Sequence, residues 1–258
     1  MYRGGGMAAD TIAVLSLKGG TGKTTAVRTL ADVLRQVGLT VLTIDLDPQG
    51  NLSDYFDIPR DASPTVADVL SGDVKAKEAI HDGVIPTALN LADAERALSG
   101  KMGRELVLKK ALKDVRKAYD VILIDCPPAL GLLTINGLVA ADHALVSSEA
   151  QYFALQGVNG AMELIEQVRE YYNGDLELLG VLLNIADMRT THSRDAYTQL
   201  QAAFGEKVFE SVIRSSIAYA ESAEKALSIL EYRPDLGADY LALADEVLSR
   251  IGREQPLH

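Results

Sequence analysis

Lys18-Gly19-Gly20-Thr21-Gly22-Lys23-Thr24-Thr25 sets two lysines and three hydroxyls among three glycines. Glycines lack a Cβ, so their backbone N–H groups can turn inward, and a helix starting directly after them points its N-terminal dipole at an anion. A chain of phosphates suits such a loop. Its second half is the end of a P-loop, in which Lys23 would reach the β- and γ-phosphates and the Thr24 hydroxyl would ligate Mg²⁺. Thr25 would donate to the α-phosphate. The plain alternative is a glycine-rich turn with no ligand.

Carboxylates recur where such a site needs them. Thr43-Ile44-Asp45-Leu46-Asp47-Pro48-Gln49-Gly50-Asn51 ends an apolar run in two acids and a turn, and Val121-Ile122-Leu123-Ile124-Asp125 ends another in one. An acid at the carboxyl end of a strand beside a P-loop can hold a metal's water shell or orient an attacking water. Asp125 fits the Walker B position, taking Mg²⁺ directly or through water. Without that context, Asp45 and Asp47 would read as turn and cap residues. Cys126, the only cysteine, has no histidine arranged near it in sequence and reads as a small buried residue.

The elements that must position these groups are legible as alternating patterns. Short, β-branched apolar runs at 11–17, 40–45, 120–125, 143–147 and 178–184 suit strands buried on both faces of a parallel sheet. Helical spacing appears at 23–37, where Val27, Leu30, Leu34 and Val37 share a face, and at 104–118, 154–171, 193–204 and 238–251. In the last of these, Leu241, Ala244, Leu248 and Ile251 form the expected stripe. Residues 58–103 are less regular and predict loops and short helices around one strand at 88–92. Strand–helix alternation predicts an α/β fold, a doubly wound, mostly parallel sheet flanked by helices.

The 258 residues suffice for one such domain, expected over 11–252 after a flexible leader (1–10) and before a short tail (253–258). No stretch approaches the ~20 unbroken apolar residues of a membrane span. A single cysteine implies a reducing, cytoplasmic setting. The formal net charge of −11 confines any nucleic-acid contact to a local basic patch.

The loop KGGTGKTT resembles the deviant Walker A box of the ParA/MinD superfamily, and Asp45-Leu46-Asp47-Pro48-Gln49-Gly50-Asn51 and Asp125-Cys126-Pro127-Pro128 resemble further motifs of its ParA branch. The resemblance runs from residue 12 to about 251. It implies that Lys18 reaches across a dimer to the partner's nucleotide, that Asp47 serves hydrolysis, and that Asp45 supports the metal or the switch loop. It also implies that Asn184 reads adenine, although a strand-ending Asn is otherwise a common turn residue. The nucleotide-binding set is then Lys18, Gly19, Gly20, Thr21, Gly22, Lys23, Thr24, Thr25 and Asn184, with catalysis by Lys18, Lys23 and Asp47 and metal held by Thr24, Asp45 and Asp125.

Residues 149–157 echo the family's switch segment, with Ser147 where Pro is usual and Gln151 where Glu is. A larger departure lies at Arg214-Ser215-Ser216-Ile217-Ala218-Tyr219-Ala220-Glu221, where the family's PRNVRLSE carries DNA-contacting arginines: Ser215 and Ala218 replace both, and Arg214 replaces the proline. The remaining DNA-contact candidates are Arg189, Arg214 and Lys225, with Arg194, Lys207 and Arg233 beside them, or else these are solvated charges paired with nearby acids. The family's cycle implies ATP and Mg²⁺, an ATP-dependent homodimer, nonspecific DNA and a ParB-like partner that triggers hydrolysis, and the stretch before residue 12 is expected to leave no room for the helix-turn-helix domain that some plasmid partition proteins carry. A MinD-like membrane role is a poor fit, since the last helix carries Asp245 and Glu246 rather than a basic face. Positioning of another cargo by the same mechanism stays open.

Overall fold

A computed structural model describes residues 8–87, 91–151 and 154–253. Seven strands form one sheet: β1 (Asp10–Leu15), β2 (Val41–Asp45), β3 (Val84–Ile85), β4 (Val121–Asp125), β5 (His143–Glu149), β6 (Glu177–Ala186) and β7 (Val208–Arg214). The order is β3-β2-β4-β1-β5-β6-β7, and every pairing is parallel. The expected doubly wound sheet is therefore present. The chain works outward on one side through β2 and β3 and on the other through β5 to β7, so the strand order reverses beside β1. The carboxyl end of β1 is thus the crevice in which such sheets bind ligands.

Alternation along the strands explains the layers. Ala13, Leu15, Leu42, Ile44, Ile122 and Ile124 face one core, while Ile12, Val14, Val41, Val121 and Leu123 face the other. The helices are α1 (Lys23–Gln36), α2 (Asn51–Tyr55), α3 (Val66–Ser71), α4 (Leu91–Leu98), α5 (Val107–Leu112), α6 (Leu132–Ala140), α7 (Ala154–Tyr171), α8 (Thr191–Phe204), α9 (Ala218–Glu224), α10 (Ile229–Tyr232) and α11 (Pro234–Arg250). Residues of α1 and α11 pack into the second core, and those of α5, α6 and α7 into the first. Full burial of a single such leucine, for example Leu30, stabilises by roughly 1.5–3 kcal/mol.

Several expectations are corrected. The strand expected at 88–92 is not one: Leu91 and Ala92 open α4, residues 88–90 lie outside those described, and the edge strand is Val84–Ile85. Two residues before Pro86 are too few to show a period, and proline ends the ladder. The helix expected at 104–118 is α5 between single 3₁₀ turns at Arg104–Leu106 and Val115–Ala118, although Leu108, Leu112 and Val115 keep helical steps and are buried. In α11 the core stripe is Leu236, Tyr240, Leu243, Ala244, Val247 and Leu248, and Leu241 is exposed. The helix also starts four residues early, at Pro234, where a fixed φ and a missing N–H cost nothing.

The domain edges also differ from the expected leader and tail. Asp10 begins β1, and Arg253 forms ion pairs with Asp10 and Asp120. Residues 1–7 and 254–258 lie outside those described.

Candidate functional site

The loop from Lys18 to Gly22 joins the end of β1 to the first turn of α1. Gly20 and Gly22 have φ of 77° and 73°, in the left-handed region that disfavours a side chain. A Cβ on Gly22 would also lie 2.6 Å from the Asn184 Nδ2 atom. At Gly19 and Gly20 the space where a Cβ would stand is open. The first turn of α1 has neither a side-chain cap nor an acid, so its N–H groups suit an anion. These are the features a polyphosphate cradle needs.

The carboxylates stand on adjacent strand ends because Asp45 and Asp125 are register partners in the β2–β4 ladder. Asp125 accepts from Lys23 Nζ through Oδ1 and from the Thr24 hydroxyl through Oδ2, each at 2.7 Å. The pair is buried, with 7% of the Lys23 side chain and none of Asp125 exposed. Burial alone would lower the Lys23 ammonium, but the Asp125 charge beside it outweighs burial and raises it. The groups expected to grip phosphate and metal are therefore gathered on one carboxylate.

Asp45 is spent on the following turn. Its Oδ1 accepts from the Asp47 N–H at 3.0 Å, and its Oδ2 from the N–H and hydroxyl of Ser53 at 2.9 and 2.7 Å. These bonds tie the end of β2 to the turn and short helix that follow it. Ser53 was missed in the sequence because a serine inside a short helix gives no signal; its hydroxyl also accepts from the Thr87 N–H at 3.1 Å. Asp47 is almost buried, and its Oδ1 accepts from the Gln49 N–H, leaving the second oxygen with no bond within the chain among the described residues.

Burial, and then repulsion from Asp125, push the Asp45 carboxyl up to about 7. An unfolded Asp titrates near pH ~4, so between about 4 and 7 the folded chain holds the extra proton. Its contribution is present in full at acid pH and is lost as pH rises through the folded value. Asp45→Asn should therefore flatten the fall in stability from about pH 5 to about pH 7.5 of the protein free of nucleotide and metal. Urea midpoints read this, and a wild-type-to-variant difference that does not change with pH contradicts it.

The departures from the family pattern acquire a physical reading. Ser147, where Pro is usual, donates to the Thr21 carbonyl at 3.0 Å and accepts from Asn184 Nδ2 at 3.4 Å, tying β5 and β6 to the loop. Asn184 is buried, its Oδ1 accepting from Ile185 N–H at 2.9 Å. Lys18 is exposed at the loop's start and donates to Gln151 Oε1 at 3.4 Å. Burial pushes the Cys126 thiol up to about 12, so it stays protonated and is no nucleophile. Lys18 to Thr25, Asp47 and Asn184 all line one cleft of about 880 Å³, which Tyr219 also lines.

The basic residues late in the chain are engaged. Arg189 makes a two-point pair with Asp187 at 2.8 Å, and this hydrogen bonding holds the Asp187 carboxyl down to about 2. Arg214 pairs with Asp239 at 2.9 Å and Arg233 with Asp235 at 2.8 Å. Lys225 donates to the Tyr232 hydroxyl, and Arg194 and Lys207 donate to backbone carbonyls. Topology divides the set. Arg189, Arg194 and Arg214 follow or end β6 and β7 at the edge that carries the P-loop, whereas Lys207 precedes β7 at the opposite edge.

Residues 9–178 match the AAA domain family. The sporulation initiation inhibitor protein Soj of Bacillus subtilis is 38% identical over 245 residues, covering 92% of this chain and 97% of that one. The chromosome-partitioning ATPase Soj of Treponema pallidum is 34% identical over 251 residues, covering 94% and 98%. A solved structure of cobyrinic acid a,c-diamide synthase from Mycobacterium smegmatis with a bound ATP analogue and magnesium is 36% identical, with a TM-score of 0.82 over 96% of this chain and 98% of that one.

Proposed function

Because this chain belongs to the ParA/Soj family of AAA-type partition ATPases, we propose that it is a switch in which Mg-ATP joins two copies and the joined pair holds nonspecific DNA. The chain is an ATP hydrolase that works with Mg²⁺. The observation that carries the reading is the convergence of Lys23 and Thr24 on Asp125 at the mouth of an open glycine cradle. Lys23 and the α1 N-terminus hold the β- and γ-phosphates, while Thr24 and Asp125 hold the metal. Bound there, Mg²⁺ neutralises charge on the phosphate oxygens. Asp47 orients the attacking water, and Asp45 with Ser53 keeps the Asp47 loop in place. Lys18 completes the partner's site, and a ParB-like protein triggers hydrolysis.

Every basic residue put forward for DNA has an internal partner, so phosphate must displace acids at Arg189 and Arg214. Two copies double the local positive charge, which gives ATP dependence a physical cause. A cytoplasmic protein associated with the nucleoid follows. In a mobility-shift titration at low salt, the Asp47→Ala variant should shift DNA of any sequence only with Mg-ATP, and affinity should fall steeply with salt as counterions are released. Arg214→Ala should lower the log–log salt slope by about 1. No shift under these conditions would mean that the switch positions its cargo on another matrix. The amidation named for the Mycobacterium structure is disfavoured by Lys18 and the Asp45–Asn51 loop; turnover of ATP with no carboxylic acid co-substrate separates the two.

A further inference from the structure

Three tyrosines, Tyr55, Tyr219 and Tyr240, line the cleft that begins at the P-loop. Tyr55 and Tyr240 are buried, at 1% and 0% exposure, whereas Tyr219 is half-buried. The Tyr219 hydroxyl is nevertheless sealed from solvent, with no hydrogen-bond partner among the described residues. Its ring meets that of Tyr240 edge to face, centroids 6.1 Å apart and planes at 77°. The side chain is therefore held by packing against the neighbouring ring, and the surface it leaves exposed is not its hydroxyl. A tyrosine that served a ligand by hydrogen bonding would present the opposite end.

The phosphate cradle and Asn184, Ile185, Ser216 and Tyr219 line the same cleft, with Asn184 standing beside Gly22. A nucleotide held by its phosphates at Lys23 would find this cleft open to its base. We propose that the Tyr219 ring is the platform on which the base of the bound nucleotide stacks. This rests on the ATP-binding reading above and adds to it the residue that favours a nucleotide over a bare polyphosphate. Stacking suits any base, since each has a π face, so discrimination among bases falls to other groups.

Calorimetry with Mg-ATP and with Mg-tripolyphosphate, which has the phosphates and no base, tests the assignment. Tyr219→Ala should weaken Mg-ATP by about fivefold to 150-fold, the range that removal of one base–aromatic stack gives, and leave tripolyphosphate unchanged. Tyr219→Phe keeps the ring and should match wild type for both ligands. Tyr219→Leu keeps apolar bulk against Tyr240 without a π face and should behave as Ala does, with the ATP-to-GTP affinity ratio close to wild type. The proposal is overturned if Tyr219→Leu binds Mg-ATP as wild type does, or if it loses both ligands equally. Wild-type protein that binds neither ligand overturns the ATPase reading instead, and with it the platform.

Discussion

Lys23→Ala should lose Mg-ATP affinity by at least roughly ten- to a hundredfold, the worth of a charge-assisted hydrogen bond to phosphate, and should also destabilise the nucleotide-free protein. The second effect follows from the buried pair. Removing the ammonium leaves Asp125, which has no exposed surface, with only the Thr24 hydroxyl as an observed side-chain donor. Breaking a buried ion pair from one side costs about 3–5 kcal/mol. The two consequences separate in a double variant: Lys23→Ala with Asp125→Asn removes the orphaned charge and should recover much of the stability without recovering ATP binding. Calorimetric titration and urea unfolding read the two effects. Unchanged Mg-ATP binding in Lys23→Ala contradicts the assignment.

Asp47→Ala should slow ATP hydrolysis by about 10²- to 10⁴-fold, the usual contribution of a side chain that positions or deprotonates a nucleophile, while Mg-ATP affinity stays within a few-fold of wild type. The split follows from position. Asp47 lies past the end of β2 on the turn that Asp45 clamps, and it makes no hydrogen bond to Lys23 or Thr24 among the described residues. A group aimed at the attacking water acts in the transition state. Single-turnover hydrolysis against equilibrium binding checks the split, and a wild-type rate assigns Asp47 a structural role only.

How far this could be foreseen depends on where each signal resides. The P-loop and the acids ending β2 and β4 are local motifs, and buried parallel strands announce themselves as apolar runs, so the five inner strands and the meeting of the P-loop with these acids were legible. α6 was not, because seven of its nine residues are buried and it carries no polar face to give a period. β7 was not, because an edge strand mixes buried Val208, Phe209 and Ile213 with exposed Glu210 and Arg214. The clamp of Ser53 on Asp45 and the edge-to-face packing of Tyr219 on Tyr240 are tertiary contacts that no spacing encodes. The basic residues show the same limit: sequence counts Arg189 and Arg214, and only the fold supplies Asp187 and Asp239 beside them.

The central claim is that bound ATP changes the state of assembly, and sedimentation velocity of the Asp47→Ala variant tests it most directly. With Mg²⁺ alone the variant should sediment as a monomer. Added ATP should convert it to a stable dimer, because hydrolysis no longer resets the switch, and Lys18→Ala in the same background should weaken that dimer. A single monomeric boundary with and without saturating Mg-ATP, in protein that calorimetry shows to be ATP-bound, would contradict the account.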